Sequence, residues 1–453
     1  MTPCWLPSPA STAASWKICS RAPSSSRMSG GGSVPQTPDL AYACRLPPQD
    51  AIAYLESKGY ALGFSWTDIW QEAHAKAFTA AGVMKVEVLA DLKAGLVDAL
   101  KKGTTRQDYI RNLTPMLQRK GWWGSDAQVD ESTGELHGKG LTPRRLATIF
   151  DTNMQTAYMA GRYKAFMANV GDRPFWQYVA VMDGRTRAAH AALNGRTFRY
   201  DDPIWQTSFP PNGFRCRCGV RALDHEDLRS RGIDLSSSEG RLSDVEVPTS
   251  RQPDGPTATV KRFEYAPGRF FAPDAGWSYN PGEAGLAHLR QILIEQANRA
   301  EPALARVSVQ SQVSSAEFVR WFERPAGDFP VAVLDPENAA RIGALMQVAV
   351  LSEASHAKQA DRHPEVSVRD YQRVQEVIDH GRAYQDTAVS LVFVRDTPEG
   401  VTVVVKATHS GDGLFLTSLR YLPTQSAQRA AEIRRVERKA AAYAAKAGDA
   451  AAQ

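Results

Sequence analysis

Cysteine is scarce: the 453 residues hold only Cys4, Cys19, Cys44, Cys216 and Cys218. Five thiols in so long a chain exclude a disulfide framework and suit a reducing compartment. Long apolar runs are missing too. Nothing approaches the roughly 18 apolar residues that a membrane helix needs, so no membrane segment is expected. The first residues are rich in Ser, Pro and Ala and lack the apolar stretch of about 7–15 residues of a signal peptide. Residues 1–45 therefore read as a disordered tail, with Met28 as an alternative start. An excess of one charge is also lacking. Lys and Arg number 54 against 49 Asp and Glu, a net charge of +5 that does not by itself announce a nucleic-acid binder. Internal repeats are absent.

What is present is an ordinary globular balance, 43% hydrophobic and 23% charged. The length implies two to three domains. The first region is helical. A helix is expected over Pro48–Lys58 and another opens at Ser65, with Trp66, Ile69, Trp70, Ala73, Ala77 and Phe78 on one face. A third carries Val86 to Leu100 and stops at Gly103. A fourth starts at a Thr105-x-x-Asp108 capping box, with Pro115 as a candidate kink. Thr142-Pro143 opens a fifth, Thr as N-cap and Pro at the first helical position.

The pattern changes at Pro174. Trp176, Tyr178 and Ala180 alternate with their neighbours as in a strand, a short helix holds His190, and strands are expected near Thr197–Tyr200 and Phe214–Val220. From Arg229 to Val260 the composition shifts to Ser, Gly, Pro and Asp and reads as linker. A last folded unit is expected over 313–423, with a hairpin of Val389–Arg395 and Val401–Lys406 and a third strand Leu414–Tyr421. A basic, Ala-rich helix follows over 424–453, solvated or docked on a partner. The fold class is thus α+β and multidomain: a helical N-terminal region with a small α+β domain (46–228), a linker and connecting helix (229–312), and a C-terminal α+β domain with a short antiparallel sheet.

Cys216 and Cys218 sit two apart, so in a strand both thiols would share one face. Two such thiolates can grip one zinc ion, with His190 as third ligand and Asp183 completing the shell. The same residues also read as two buried small hydrophobes beside a hydrogen-bonded core histidine, so structural zinc is one of two open readings.

Three groups of residues together resemble the phage Mu F-like minor head proteins across about residues 45–285. They are Trp66 to Phe78 with Gly121-Trp122-Trp123-Gly124; Asp183, Arg187, His190, Leu193-Asn194-Gly195, Pro210-Pro211-Asn212-Gly213 and Cys216-Arg217-Cys218; and Pro273 to Gly282. The resemblance implies a minor capsid protein of a tailed phage or prophage. It implies a place in the virion, inside the head or near the portal, after assembly in the host bacterial cytoplasm. It also implies portal and capsid or scaffold proteins as partners, and a role in head morphogenesis and in genome packaging or ejection.

Residues 345–422 resemble the phage nuclease domains grouped with barnase, EndoU, colicin and RelE toxins, on Val350-Leu351-Ser352, His356, His363-Pro364-Glu365, Asp370-Tyr371, Val403 to Thr408 and Leu416 to Arg420. That resemblance implies metal-independent RNA cleavage, with DNA or RNA as a partner and His356, His363, Lys406, Thr408, Ser418 and Arg420 as candidate catalytic residues. Histidine suits proton transfer near neutral pH, and cations and hydroxyls suit a phosphorane. The alternative to a structural protein is therefore a virion-delivered ribonuclease toxin that uses the Mu F-like region as adaptor.

Overall fold

The computed structural model describes residues 48–62, 67–68, 71–125, 127–129, 136–249 and 255–451. The expected tail, Met28 and the positions of Ser65, Trp66, Ile69 and Trp70 lie outside them. The chain divides into two compact units, Met1–Leu286 and Ala287–Gln453.

Helices dominate the start of the first unit. Gln49–Ser57, Val86–Lys102, Arg106–Arg119 and Pro143–Ala168 bury one apolar stripe each around Leu55, Leu92, Leu96, Leu117 and Leu146. Their ends follow local chemistry. Gly103 takes the left-handed conformation (φ 66°) that closes its helix. Thr105 and Asp108 exchange the two hydrogen bonds of a capping box, and the Thr142 hydroxyl accepts the amide of Arg145. Pro115 lies inside its helix without ending it. The helix expected from Ser65 differs: its described part is only Ala73–Lys76. Ala77–Phe78 (β2) then pairs in parallel with Gly59–Tyr60 (β1). The polar loop after Gly124 holds a small antiparallel pair, Ala127–Val129 (β3) and Leu136–Lys139 (β4).

Beyond the long helix, Phe175–Val179 (β5) is the centre of a three-stranded antiparallel sheet, flanked by Thr197–Arg199 (β6) and Gly219–Leu223 (β7). Trp176, fully buried, is ringed by Tyr163, Phe166, Trp205 and Phe209 at centroid distances of 5.7–6.0 Å. The stretch read as linker is largely folded. Leu242–Pro248 (β8) pairs along its whole length with Thr257–Ala266 (β9), which also pairs with Arg269–Phe271 (β10). Its Ser- and Asp-rich composition is the exposed side of a sheet whose other side buries Val260, Phe263 and Phe271.

The second unit is built on a six-stranded sheet in the order β11-β12-β16-β15-β14-β13. These are Phe329–Val333 (β11), Val348–Leu351 (β12), Arg382–Thr387 (β13), Ser390–Arg395 (β14), Val401–Ala407 (β15) and Leu414–Tyr421 (β16). The expected hairpin and third strand are three adjacent strands within it, β14, β15 and β16. The sheet is larger than expected, and mixed, because β12 runs parallel to β16. One face packs on helices around Phe318, Phe329, Phe393 and Val403. Ala305 and Val309 of the helix Pro302–Val313 are buried there, so that helix belongs to this unit and not to a linker. The other face is covered in part by the C-terminal helix Ser426–Ala451, whose Ile433 and Val436 pack with Val392, Val394, Val404 and Leu422. That helix docks on its own sheet because an apolar stripe survives among its basic residues.

Candidate metal centre

The strand expected at Phe214–Val220 begins only at Gly219. The sequence argument that put both cysteines on one strand face therefore fails, yet the thiols still converge. A tight turn carries them: the Cys216 amide donates to the Gly213 carbonyl at 3.1 Å, and Arg215 takes a left-handed φ of 59°. The turn brings both sulfurs onto His190 of the short helix Ala188–Ala192. Its Nδ1 lies 3.6 Å from Cys216 Sγ and 3.4 Å from Cys218 Sγ. The three donor atoms all lie within 4.8 Å of one another. All three residues are buried, at 4%, 7% and 3% exposure for His190, Cys216 and Cys218, so they are shielded from bulk water.

The electrostatics of the pair are split. Hydrogen bonds from the Cys218 thiol and from His190 pull the Cys216 thiol well below its usual range. The Cys218 thiol is pushed up by its hydrogen bond to Cys216 and by burial.

Asp183 does not join the site. Its carboxylate takes two hydrogen bonds from Arg217, at 2.7 and 2.5 Å, which hold it well below the usual carboxylate range. A different acid stands closer to the chemistry. Asp274 pairs with Arg187 at 2.9 Å, and the same guanidinium nitrogen lies 3.5 Å from His190 Nε2. Burial raises the Asp274 carboxyl, while the charges of Arg187 and His190 pull it back. Gly213 is required beneath this pair, since a Cβ there would overlap both the Asp274 carboxylate and the Arg187 guanidinium. Tyr178 Oη donates to Asn212 Oδ1 at 2.9 Å and borders Cys218. Asn212 Nδ2 is buried with no hydrogen-bond partner among the described residues. In the sequence Arg187, Asn212 and Asp274 figured only as parts of motifs. Tyr178 showed only as a strand residue, since nothing local says that it faces a thiol.

The Phage Mu protein F like protein family matches residues 90–221, which contain all three donors. Over 298 residues the chain is 40% identical to "Putative capsid assembly protein F" of Escherichia phage Mu, covering 64% of this chain and 68% of the relative. The chain belongs to the Mu F-like family. A second Mu F-like relative, the Mu-like prophage FluMu F protein of Haemophilus influenzae, is 43% identical over 226 residues, 49% of this chain and 53% of its own length. No solved structure matches.

In the second unit of this Mu F-like protein, the six residues expected to be catalytic do not gather at one point. Lys406, Ser418 and Arg420 share a sheet face: Thr402 pairs with Arg420 and Val404 with Ser418, and Lys406 continues the alternation. That is the face on which the C-terminal helix lies, and Arg420 donates to Glu432 of that helix at 2.6 Å. Lys406 is exposed. Thr408 staples the turn after β15, donating to Asp412 at 2.7 Å and accepting from the Gly413 amide at 3.0 Å. His363 lies 3.2 Å from Glu365. His356 packs on the core-side helix Ala316–Glu323, its ring perpendicular to Phe322 at 4.5 Å, with Nε2 buried and unpartnered among the described residues.

Burial lowers the basicity of His356. In the unfolded chain the imidazole protonates near pH 6.5, whereas in the fold it resists until lower pH. The unfolded state therefore binds more protons in that window, and stability must fall as pH drops from about 6.5 through the folded value. Thermal unfolding of the second unit, followed by calorimetry between about pH 7 and 5, is expected to show this loss. His356→Gln should flatten it; an equal loss in the variant would assign the effect to other groups.

Proposed function

We propose that this chain acts in phage head morphogenesis as a minor component of the head, in contact with portal and capsid or scaffold proteins. The observation that carries the reading is the 40% identity over 298 residues to a relative named for capsid assembly. The match lies over most of both chains, so it concerns more than a shared module. Among the described residues no helix is long and apolar enough to cross a membrane. Placement near the portal and a part in packaging or ejection extend the same reading.

The test is genetic and biochemical. A phage or prophage carrying a stop codon in this gene should yield defective heads, and complementation should restore them. Wild-type heads purified away from free protein should contain the chain, and cross-linking should join it to the portal or capsid protein. Normal infectious yield from the stop mutant, with the chain missing from wild-type heads, would reject the proposal.

The dispersal of His356, Lys406, Thr408 and Arg420 weighs against a ribonuclease, which needs proton-transfer groups and a phosphate clamp around one reacting centre. The second unit is read here as an assembly element. RNA or DNA cleavage by the purified full chain, lost in Lys406→Ala or His356→Ala variants that still melt normally, would replace that reading with the toxin alternative.

A further inference from the structure

We propose that His190, Cys216 and Cys218 hold one zinc ion that pins the turn before β7 to the helix Ala188–Ala192.

Zinc bonds of about 2.3 Å to sulfur and 2.0–2.1 Å to nitrogen, at tetrahedral angles, put sulfur and nitrogen donors about 3.5 Å apart. The observed separations from His190 Nδ1 are 3.6 and 3.4 Å. Both match an ion shared by that nitrogen and each sulfur, and the two sulfurs lie within 4.8 Å of each other. A core histidine packed for shape alone would not need both sulfurs on one ring nitrogen.

Two thiolates and a neutral imidazole make a soft, doubly anionic set that neutralises a divalent ion, and buried thiolates without an ion would leave charge in the core. The surroundings supply one outer partner: Cys218 borders the Tyr178 hydroxyl, a group of the kind that orients metal-bound cysteines. With three protein donors, the fourth corner falls to water or another small donor.

The turn that carries the cysteines is short, contains a non-glycine residue in the left-handed region, and precedes the edge strand β7. The donors come from segments 26 and 28 residues apart in sequence. A metal bond between them removes freedom from the unfolded chain and adds its binding free energy to folding. That stabilisation holds whatever occupies the fourth corner. It fits a small sheet of three strands, of which β6 has three residues.

The test starts from the full chain purified under reducing conditions without added chelator. Zinc is expected at about one ion per chain by elemental analysis, as for other structural sites. Replacement by cobalt should give intense thiolate-to-cobalt charge transfer and the visible bands of a tetrahedral ion. Cys216→Ser, Cys218→Ser and His190→Ala should each lower zinc content at least about tenfold, and chelation of the wild type should lower its melting temperature. Asp183→Asn should keep the zinc, since its carboxylate serves Arg217. If a ligand variant does not fold, the wild-type zinc content and cobalt spectrum still decide. Reduced wild-type protein that holds no zinc and takes up no tetrahedral cobalt overturns the proposal. So does a Cys216–Cys218 disulfide in protein freshly isolated from cytoplasm, seen as a mass lower by two hydrogens.

Discussion

Replacing Lys58 with Met is expected to stabilise the first unit strongly at neutral pH. Lys58 follows the helix Gln49–Ser57 and is only 5% exposed. Its ammonium lies 4.6 Å over the Tyr54 ring, and no carboxylate pairs with it among the described residues. Lys93 comes in from the helix Val86–Lys102 and donates to the carbonyls of Glu56, at 3.0 Å, and of Lys58 itself. Burial first, and the charge of Lys93 second, lower Lys58 to about 7. Lys93 is lowered as well, by burial, with Glu56 opposing. The Tyr54 hydroxyl offers no counter-charge, because burial holds its ionisation well above the usual range.

The sign follows directly. Between about pH 7 and 10.4 the unfolded chain carries the Lys58 proton and the folded chain does not, so stability rises with pH across that window. Below about pH 7 both forms are protonated and the whole cost of the buried charge is felt. Holding the ammonium at about 7 in place of about 10.5 corresponds to a cost on the order of 4–5 kcal/mol. Met keeps most of the apolar stem and removes the charge. Urea unfolding of wild type and Lys58→Met at about pH 6 and pH 9.5 should show a large advantage for the variant at the lower pH that shrinks at the higher. An advantage equal at both, or a variant weaker at both, would mean that Lys58 is not a buried charge.

Gly282→Ala is expected to damage the same unit. Gly282 is the second residue of the helix Pro281–Arg299, and its amide donates to Asn280 Oδ1 at 2.9 Å. The helix starts directly on Tyr163. An added Cβ would stand 2.5 Å from Tyr163 Cγ and 2.7 Å from Cδ1, and nearer still to its Cβ. Tyr163 cannot swing aside, because its ring is held edge-on by Trp176 at 5.7 Å and Phe209 at 5.4 Å. One of the two helices must move, at a cost of about 1–3 kcal/mol or more. Gly171→Ala is the control: nothing lies within 4 Å of its added Cβ, so its midpoint should hardly change. Equal midpoints for the two variants would mean that the helix start has room to retreat.

Much of the helical frame was legible in the sequence. Gly103, Thr105 and Thr142 act on amides and carbonyls within four residues of themselves, so their signals need no knowledge of the rest of the chain. The hairpin Val389–Arg395 with Val401–Lys406 was legible for the same reason: its turn and its alternation are local. The β8–β9 hairpin was not. One side of it faces water, and a strand exposed on one side, rich in Ser and Asp, looks like a linker until its partner is known. Nor was the six-stranded order, because the parallel neighbours β12 and β16 are separated by three intervening strands and several helices.

The candidate site divides in the same way. The residue types and spacing of His190, Cys216 and Cys218 were enough to name three soft donors, because ligand chemistry belongs to the side chain and not to the fold. Their meeting point was decided by the tertiary structure. The cysteines are not on a strand, and only the turn at Gly213–Cys216, seated under Asp274 and Arg187, aims both sulfurs at one imidazole nitrogen. The reverse holds in the second unit. Lys406, Ser418 and Arg420 fall on one sheet face, but the C-terminal helix lies on that face and Glu432 engages Arg420. Periodicity within a strand reports which residues share a side; what covers that side depends on a helix that folds back from later in the chain, and no local pattern carries that information.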